Sequence, residues 1–225
     1  MKCRLCLGLL LVLCSMLAAQ DFKWHKSLEI DGNGIMQGPP MDLKGSKWRV
    51  KYSSKDNSPI LVELFSADGS VKKEIIRSTN KQTTSGTRVV DYKGGFDKGF
   101  LRIRGSYSGW TVIFEQFVDD IRSWELTKLG KIQKSFDKMG IWSGDGGETM
   151  EIPFSVMEKP LRMSMTNSGN ERLKVEVVDE NNNPVAIAYM FTPNTRETWF
   201  YATGKYKLRI NSNDTPWVVE VNELK

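Results

Sequence analysis

Beyond residue 14 the chain has no cysteine; the three it carries are Cys3, Cys6 and Cys14. That excludes a disulfide framework, a cysteine-ligated zinc site and a cysteine nucleophile in the body of the protein. Histidine is nearly as scarce. His25 stands alone, near the start of the chain, where it reads as an exposed tail residue. One histidine cannot supply the two or three ligands of a zinc hydrolase, and a Ser-His-Asp triad would have to recruit it from the tail. There is no run of five basic residues, no Gly-rich phosphate loop ending in Lys-Ser or Lys-Thr, and no dinucleotide fingerprint. These gaps argue against nucleic-acid binding and nucleotide chemistry, and no cofactor is expected.

Long apolar runs are missing too. Leu5 to Ala19 is uncharged but only 15 residues long, short of the roughly 18 of a spanning helix. It follows Lys2 and Arg4 and ends in the small pair Ala18-Ala19. A basic start, a short apolar core and small closing residues predict a secretory signal peptide over 1–19. The alternatives are an uncleaved anchor and lipidation at Cys14, the latter disfavoured by bulky Leu13. The mature chain is then secreted or periplasmic, free of cysteine and without a membrane span. It keeps 30 basic against 27 acidic side chains, a mild balance.

What is present is a globular composition, 225 residues with 40% apolar and 26% charged, and an internal duplication. Residues 101–117 align with 208–224 without a gap, with five identities in seventeen positions, among them Leu-Arg-Ile and a tryptophan, Trp110 or Trp217. Trp48-Arg49-Val50 aligns with Leu161-Arg162-Met163, and the same offset sets Ile60, Val62 and Leu64 on Leu173, Val175 and Val177. Within each copy the apolar period is two, as in Leu173-Lys174-Val175-Glu176-Val177, and turn formers such as Asn181-Asn182-Asn183-Pro184 separate the runs. Alternation puts one face on a core, and many short strands with frequent turns predict sandwiches. The predicted fold is all-β: two tandem antiparallel β-sandwich domains, jelly-roll or Ig-like, over 20–117 and 141–225. Trp110 and Trp217 are expected in the cores. Residues 118–140 fit neither copy. Val118, Ile121, Trp124, Leu129, Ile132 and Phe136 recur at helical spacing, with Asp119 and Asp120 at the start and Lys138 and Gly140 at the end. A short helical connector is predicted there, with an extended linker as the alternative.

Each copy ends in a glycine before an aromatic residue (Gly99-Phe100; Gly204 before Tyr206), then Leu-Arg-Ile, a turn, and Trp-x-Val. This pattern resembles the small β-sandwich modules of undescribed function found, alone or in tandem, in exported bacterial proteins. The resemblance covers both copies but not the connector, and implies fold and export without any catalytic residue.

The function expected is a non-catalytic binding or structural module acting on a protein or cell-envelope partner. A carbohydrate-binding module is the alternative, with Trp199, Tyr201 and Tyr189, near Phe191, as the stacking platform for a glycan. A small glycoside hydrolase with paired carboxylates is the second alternative. Glu63 and Glu176 occupy equivalent places in the two copies, which favours a shared structural role over a unique active site. Arg102 and Arg209 are likewise equivalent on the polar side of their strands and are expected on a solvated face or in a cross-strand ion pair, with anion binding as the alternative. Two oxygen-rich loops, with Asp31 and Asn33 in one and Asp145 and Glu148 in the other, are the candidate calcium ligands.

Overall fold

In the computed structural model the described residues are 21–78, 85–131, 135–147, 149–157, 159–201 and 203–225, with only the backbone described at 129–131. The expected signal segment, the last apolar residue of the connector pattern before Phe136 (Ile132) and the candidate ligand Glu148 lie outside them. The chain is mostly antiparallel β with one short helix. The first half runs β1 (Lys23–Gly32), β2 (Ile35–Gln37), β3 (Met41–Asp42), β4 (Lys47–Ser54), β5 (Leu61–Ser66), β6 (Lys72–Arg77), β7 (Ser85–Asp91), β8 (Lys98–Arg104) and β9 (Trp110–Val118). After the helix α1 (Asp120–Lys131) come β10 (Phe136–Gly144), β11 (Thr149–Val156), β12 (Leu161–Asn167), β13 (Leu173–Asp179), β14 (Pro184–Met190), β15 (Asn194–Phe200), β16 (Gly204–Ser212) and β17 (Trp217–Leu224).

The strands form two four-stranded sheets, ordered β1-β9-β4-β7 and β10-β17-β12-β15, and one nine-stranded sheet, β11-β16-β13-β14-β2-β8-β5-β6 with β3 paired to β8. Each four-stranded sheet shares an apolar core with one part of the long sheet. Trp48 and Val50 of β4, Val62 and Leu64 of β5, Leu101 and Ile103 of β8, and Trp110, Val112 and Phe114 of β9 fill one core. Met163, Val175, Val177, Leu208, Ile210, Trp217 and Val219 fill the other. These are the alternate residues of each strand, because successive side chains point to opposite faces. Trp110 and Trp217 are buried in matching places, each seated on a glycine. A Cβ at Gly32 would lie 2.6 Å from the Trp110 indole, and one at Gly144 would lie 2.8 Å from that of Trp217. The pairings β1–β9 and β10–β17 also carry matching bulges, between Lys26 and Leu28 and between Lys138 and Gly140.

The connector differs from its expectation in extent and in face. The helix stops at Lys131, and Phe136, Lys138 and Gly140 are strand. Ile121 and Trp124, predicted inward, are each 64% exposed, while Ser123 and Leu126 are buried. The apolar spacing continues into a strand, so it never described one helical face. Asp119, just before the helix, accepts a 2.8 Å bond from the Arg122 N–H, a side-chain cap.

Candidate functional site

The two halves meet along β2. Ile35 pairs with Ile187 of β14, and the Asn33 side chain bonds both backbone groups of Tyr189, donating to its carbonyl and accepting from its N–H at 3.0 Å. Beyond this seam Phe100 and Tyr201 stack at 3.7 Å and 4°, and Trp199 packs in the same cluster with Phe65, Phe136 and Leu224. The Tyr201 hydroxyl donates to the Gly38 carbonyl at 2.7 Å, and burial pushes its pKa up.

This corrects the sugar platform. Trp199 and Tyr201 are 5% and 9% exposed, because these outward-facing rings are covered by the other half of the chain. Tyr189 alone of the three remains at the surface. It is half-buried beside two rings that are about half exposed, Tyr107 at 4.6 Å and Phe191 at 6.4 Å. Of the calcium candidates, only the first loop is described in full, since Glu148 lies outside the described residues. Asp31 accepts from the Thr111 hydroxyl at 2.5 Å, Asn33 is spent on Tyr189, and among the described residues no three carboxylate or histidine side chains gather as a metal site.

Next to the aromatic seam runs a cleft of about 480 Å³. One wall is β1, from Leu28 to Asp31, and the other is β15, from Thr195 to Trp199, with Phe136 and Arg162 at its floor. Both walls are edge strands of their sheets. Their carboxylates are engaged: Glu29 with Lys26 at 2.8 Å, Asp31 with Thr111, and Glu197 with Arg162 at 3.7 Å. The cations are less well matched. Arg162 and Arg196 each bury a guanidinium Nε that has no hydrogen-bond partner.

The other half shows what Arg162 lacks. Arg49 occupies the matching place on β4, stacks on Trp24 at 4.4 Å as Arg162 stacks on Phe136 at 4.1 Å, and pairs with Glu115 directly opposite on β9. Burial alone would raise the Glu115 carboxyl, but bonds from Arg49 and Lys51 outweigh it and hold the pKa below its ordinary value. Opposite Arg162 on β17 stands Asn222, a neutral amide whose buried Nδ2 also has no partner. Sequence reading missed Arg162 and Arg196. The signal was there in the Arg49–Arg162 alignment, but the acid-to-amide change lies in a strand whose register only the fold reveals.

The remaining chemistry is accounted for by structure. His25 is not a free tail residue: it lies in β1, half-buried, with Nδ1 3.2 Å from the Ser123 hydroxyl on the helix. Burial and then the Lys23 charge lower its pKa. Ser123 is itself buried, so this contact ties helix to strand and presents no nucleophile. Glu63 meets Lys72 at 3.2 Å and Arg104 at 3.9 Å, and Glu176 meets Lys174 at 3.1 Å. Among the described residues the carboxyls that depart from ordinary pKa, Asp56, Asp68, Glu74, Glu115 and Asp179, are all displaced downward.

No family model matches the chain, and no curated protein matches it. Among solved structures it is similar to the PBSX exported protein XepA (9% identity, 90% of this chain and 86% of that one, TM-score 0.32). It is also similar to vicilin from Corylus avellana, hazelnut (8%, 93% and 77%, 0.26), and to a chain of the Sulfolobus turreted icosahedral virus (12%, 92% and 60%, 0.22). Likeness this low carries no argument.

Proposed function

We propose that the protein is an exported, non-catalytic binding module, made of two jelly-roll units over 20–117 and 141–225 joined by the segment 118–140. It holds an extended segment of a protein partner in the cleft between them. Counted within each half, with β2 and β3 as one strand, the sheets run 1-8-3-6 and 2-7-4-5, the order of a jelly roll. The observation that carries the binding reading is Arg162: a guanidinium in an open cleft, facing Asn222 where its counterpart Arg49 faces Glu115. The acidic neighbour of Arg162, Glu197, stays 3.7 Å away and the buried Nε has no partner; a buried donor left unpaired is costly, and a carboxylate from outside relieves the cost. Two edge strands forming the walls favour a polypeptide, which can add main-chain hydrogen bonds to an edge. Leu28, Ile30, Phe136 and Trp199 offer apolar surface between the charges.

The non-catalytic reading rests on the carboxyls. A glycosidase needs one acid raised toward neutral pH, whereas among the described residues Asp56, Asp68, Glu74, Glu115 and Asp179 are held below their ordinary values. Calorimetry with a blocked peptide alternating Leu and Glu, and with its Gln counterpart, tests the proposal. The Glu peptide binds and Arg162→Gln weakens it at least about tenfold; equal binding of the two peptides overturns it.

A second reading has one observation in its favour. Tyr189 and Phe191 lie 11° from parallel with Tyr107 alongside, a small surface for a sugar ring. Glycan-array signal lost on Tyr189→Ala but kept in Arg162→Gln would select it.

A further inference from the structure

We propose that a second, smaller pocket on the other side of the Gln37–Gly38 turn binds the carboxylate of a small organic acid, with Arg102 as its counter-charge. The pocket is about 120 Å³ and is walled by Phe65, Phe100, Tyr201 and Tyr206, with Gln37 and Arg102 supplying the polar groups. It uses none of the residues on which the cleft reading rests, and goes beyond that reading.

The duplication again provides the internal comparison. Arg209 on β16 has a carboxylate opposite it on β11, Glu151, and donates to it at 2.7 Å, with Asn182 at 2.7 Å as well. Arg102 is its counterpart on β8, and the residue opposite it on β2 is Gln37. The expected cross-strand ion pair therefore exists at Arg209 and not at Arg102. On its other side Arg102 faces Glu63 of β5, whose Oε1 lies 3.2 Å from Lys72 and whose Oε2, 3.9 Å from Arg104, is buried without a hydrogen-bond partner. The buried Arg102 Nε has no hydrogen-bond partner. Burial, then the neighbouring Arg104 charge, lowers its pKa, and Glu63 only partly opposes this. The Arg102 Nε thus lacks a bonded acceptor although Glu63 is near, and the pocket opens beside it.

The walls choose the anion. One guanidinium matches one negative charge, and its planar fork fits a carboxylate in two parallel bonds. Stacked aromatic rings suit an apolar body behind the carboxylate. A phosphate dianion would be stripped of water against those rings with a single cation in return.

Titration of the full chain with benzoate, butyrate, benzamide and inorganic phosphate, followed by NMR shifts, tests the assignment. Benzoate and butyrate saturate, and benzamide and phosphate bind at least about tenfold more weakly. Arg102→Gln and Gln37→Glu each abolish carboxylate binding; the second keeps the arginine and rebuilds the ion pair of the other half, so it remains informative if the first misfolds. Asn222→Asp, opposite Arg162 of the cleft, leaves carboxylate binding in this pocket unchanged. Equal binding of benzoate and benzamide, preference for phosphate, retention of benzoate by Gln37→Glu, or no saturation at about 10 mM carboxylate each overturns the proposal.

Discussion

Gln116 illustrates how one side chain holds an edge strand. It is fully buried, its Oε1 accepts from the backbone N–H groups of Lys44 at 2.7 Å and Gly45 at 3.1 Å, and its Nε2 donates to Asp42 O and to Ser27 Oγ. Ser27 is the bulged residue of β1. Gln116→Leu leaves several buried polar groups unpaired, each costing about 1–3 kcal/mol. The expected loss is about 3 kcal/mol in denaturant unfolding; a loss below about 1 kcal/mol would show that water replaces the amide. At the acid end Asp68 is the clearest residue. Bonds from Ser66 and Ser70 hold its pKa at about 2, against 3.8 unperturbed. Its folded pKa is depressed, so its contribution is present above the unfolded value and is lost as pH falls from 3.8 toward 2. Tm should fall across that window, and the fall should be shallower in Asp68→Asn; identical profiles would remove Asp68 as a contributor. The burial of Leu208, Ile210 and Trp217 was legible from strict alternation. The pairing of Arg162 with Asn222 and of Arg102 with Gln37 was not, because opposite residues are set by register between strands, which the pattern of a single strand does not encode.

At the scale of elements, the helix marks the limit of periodicity. Leu126 and Ser123 face the protein and Ile121 and Trp124 face solvent, although Ile121 and Trp124 fit the helical spacing and Leu126 does not. Spacing ranks faces by hydrophobicity, whereas the face that docks is set here by the His25–Ser123 contact and the Asp119 cap. Leu126→Ala should cost about 2 kcal/mol and Asp119→Ala about 1 kcal/mol. Ile121→Ser and Trp124→Ser should stay within about 0.5 kcal/mol of the parent in the same urea titration; a larger loss for Trp124→Ser would mean that the helix is seated the other way round. The strands fared better in sequence reading. Most were visible as alternating runs, but β2 and β3 were not, because two or three residues carry no period.

At the scale of the molecule, two copies of one strand order share a long sheet and bury aromatic rings between them. Trp199 and Tyr201 are candidates for a platform in the sequence because they are aromatic and near Tyr189 and Phe191. They are buried because the second copy needs somewhere to meet the first, which no single strand pattern encodes. Arg162 and Arg102 both lie at this meeting place, opposite Asn222 on β17 and Gln37 on β2, where their counterparts Arg49 and Arg209 stand opposite Glu115 and Glu151 and pair with them. The same strand order occurs in both halves, and the proposed sites lie where the halves differ in an acid. The most direct measurement is calorimetric titration of the Leu-Glu peptide into the parent and into Asn222→Asp, an isosteric change that restores the acid opposite Arg162. Binding at least about tenfold weaker in Asn222→Asp, with folding intact, is the predicted result; unchanged affinity would contradict the role of Arg162 and the cleft with it.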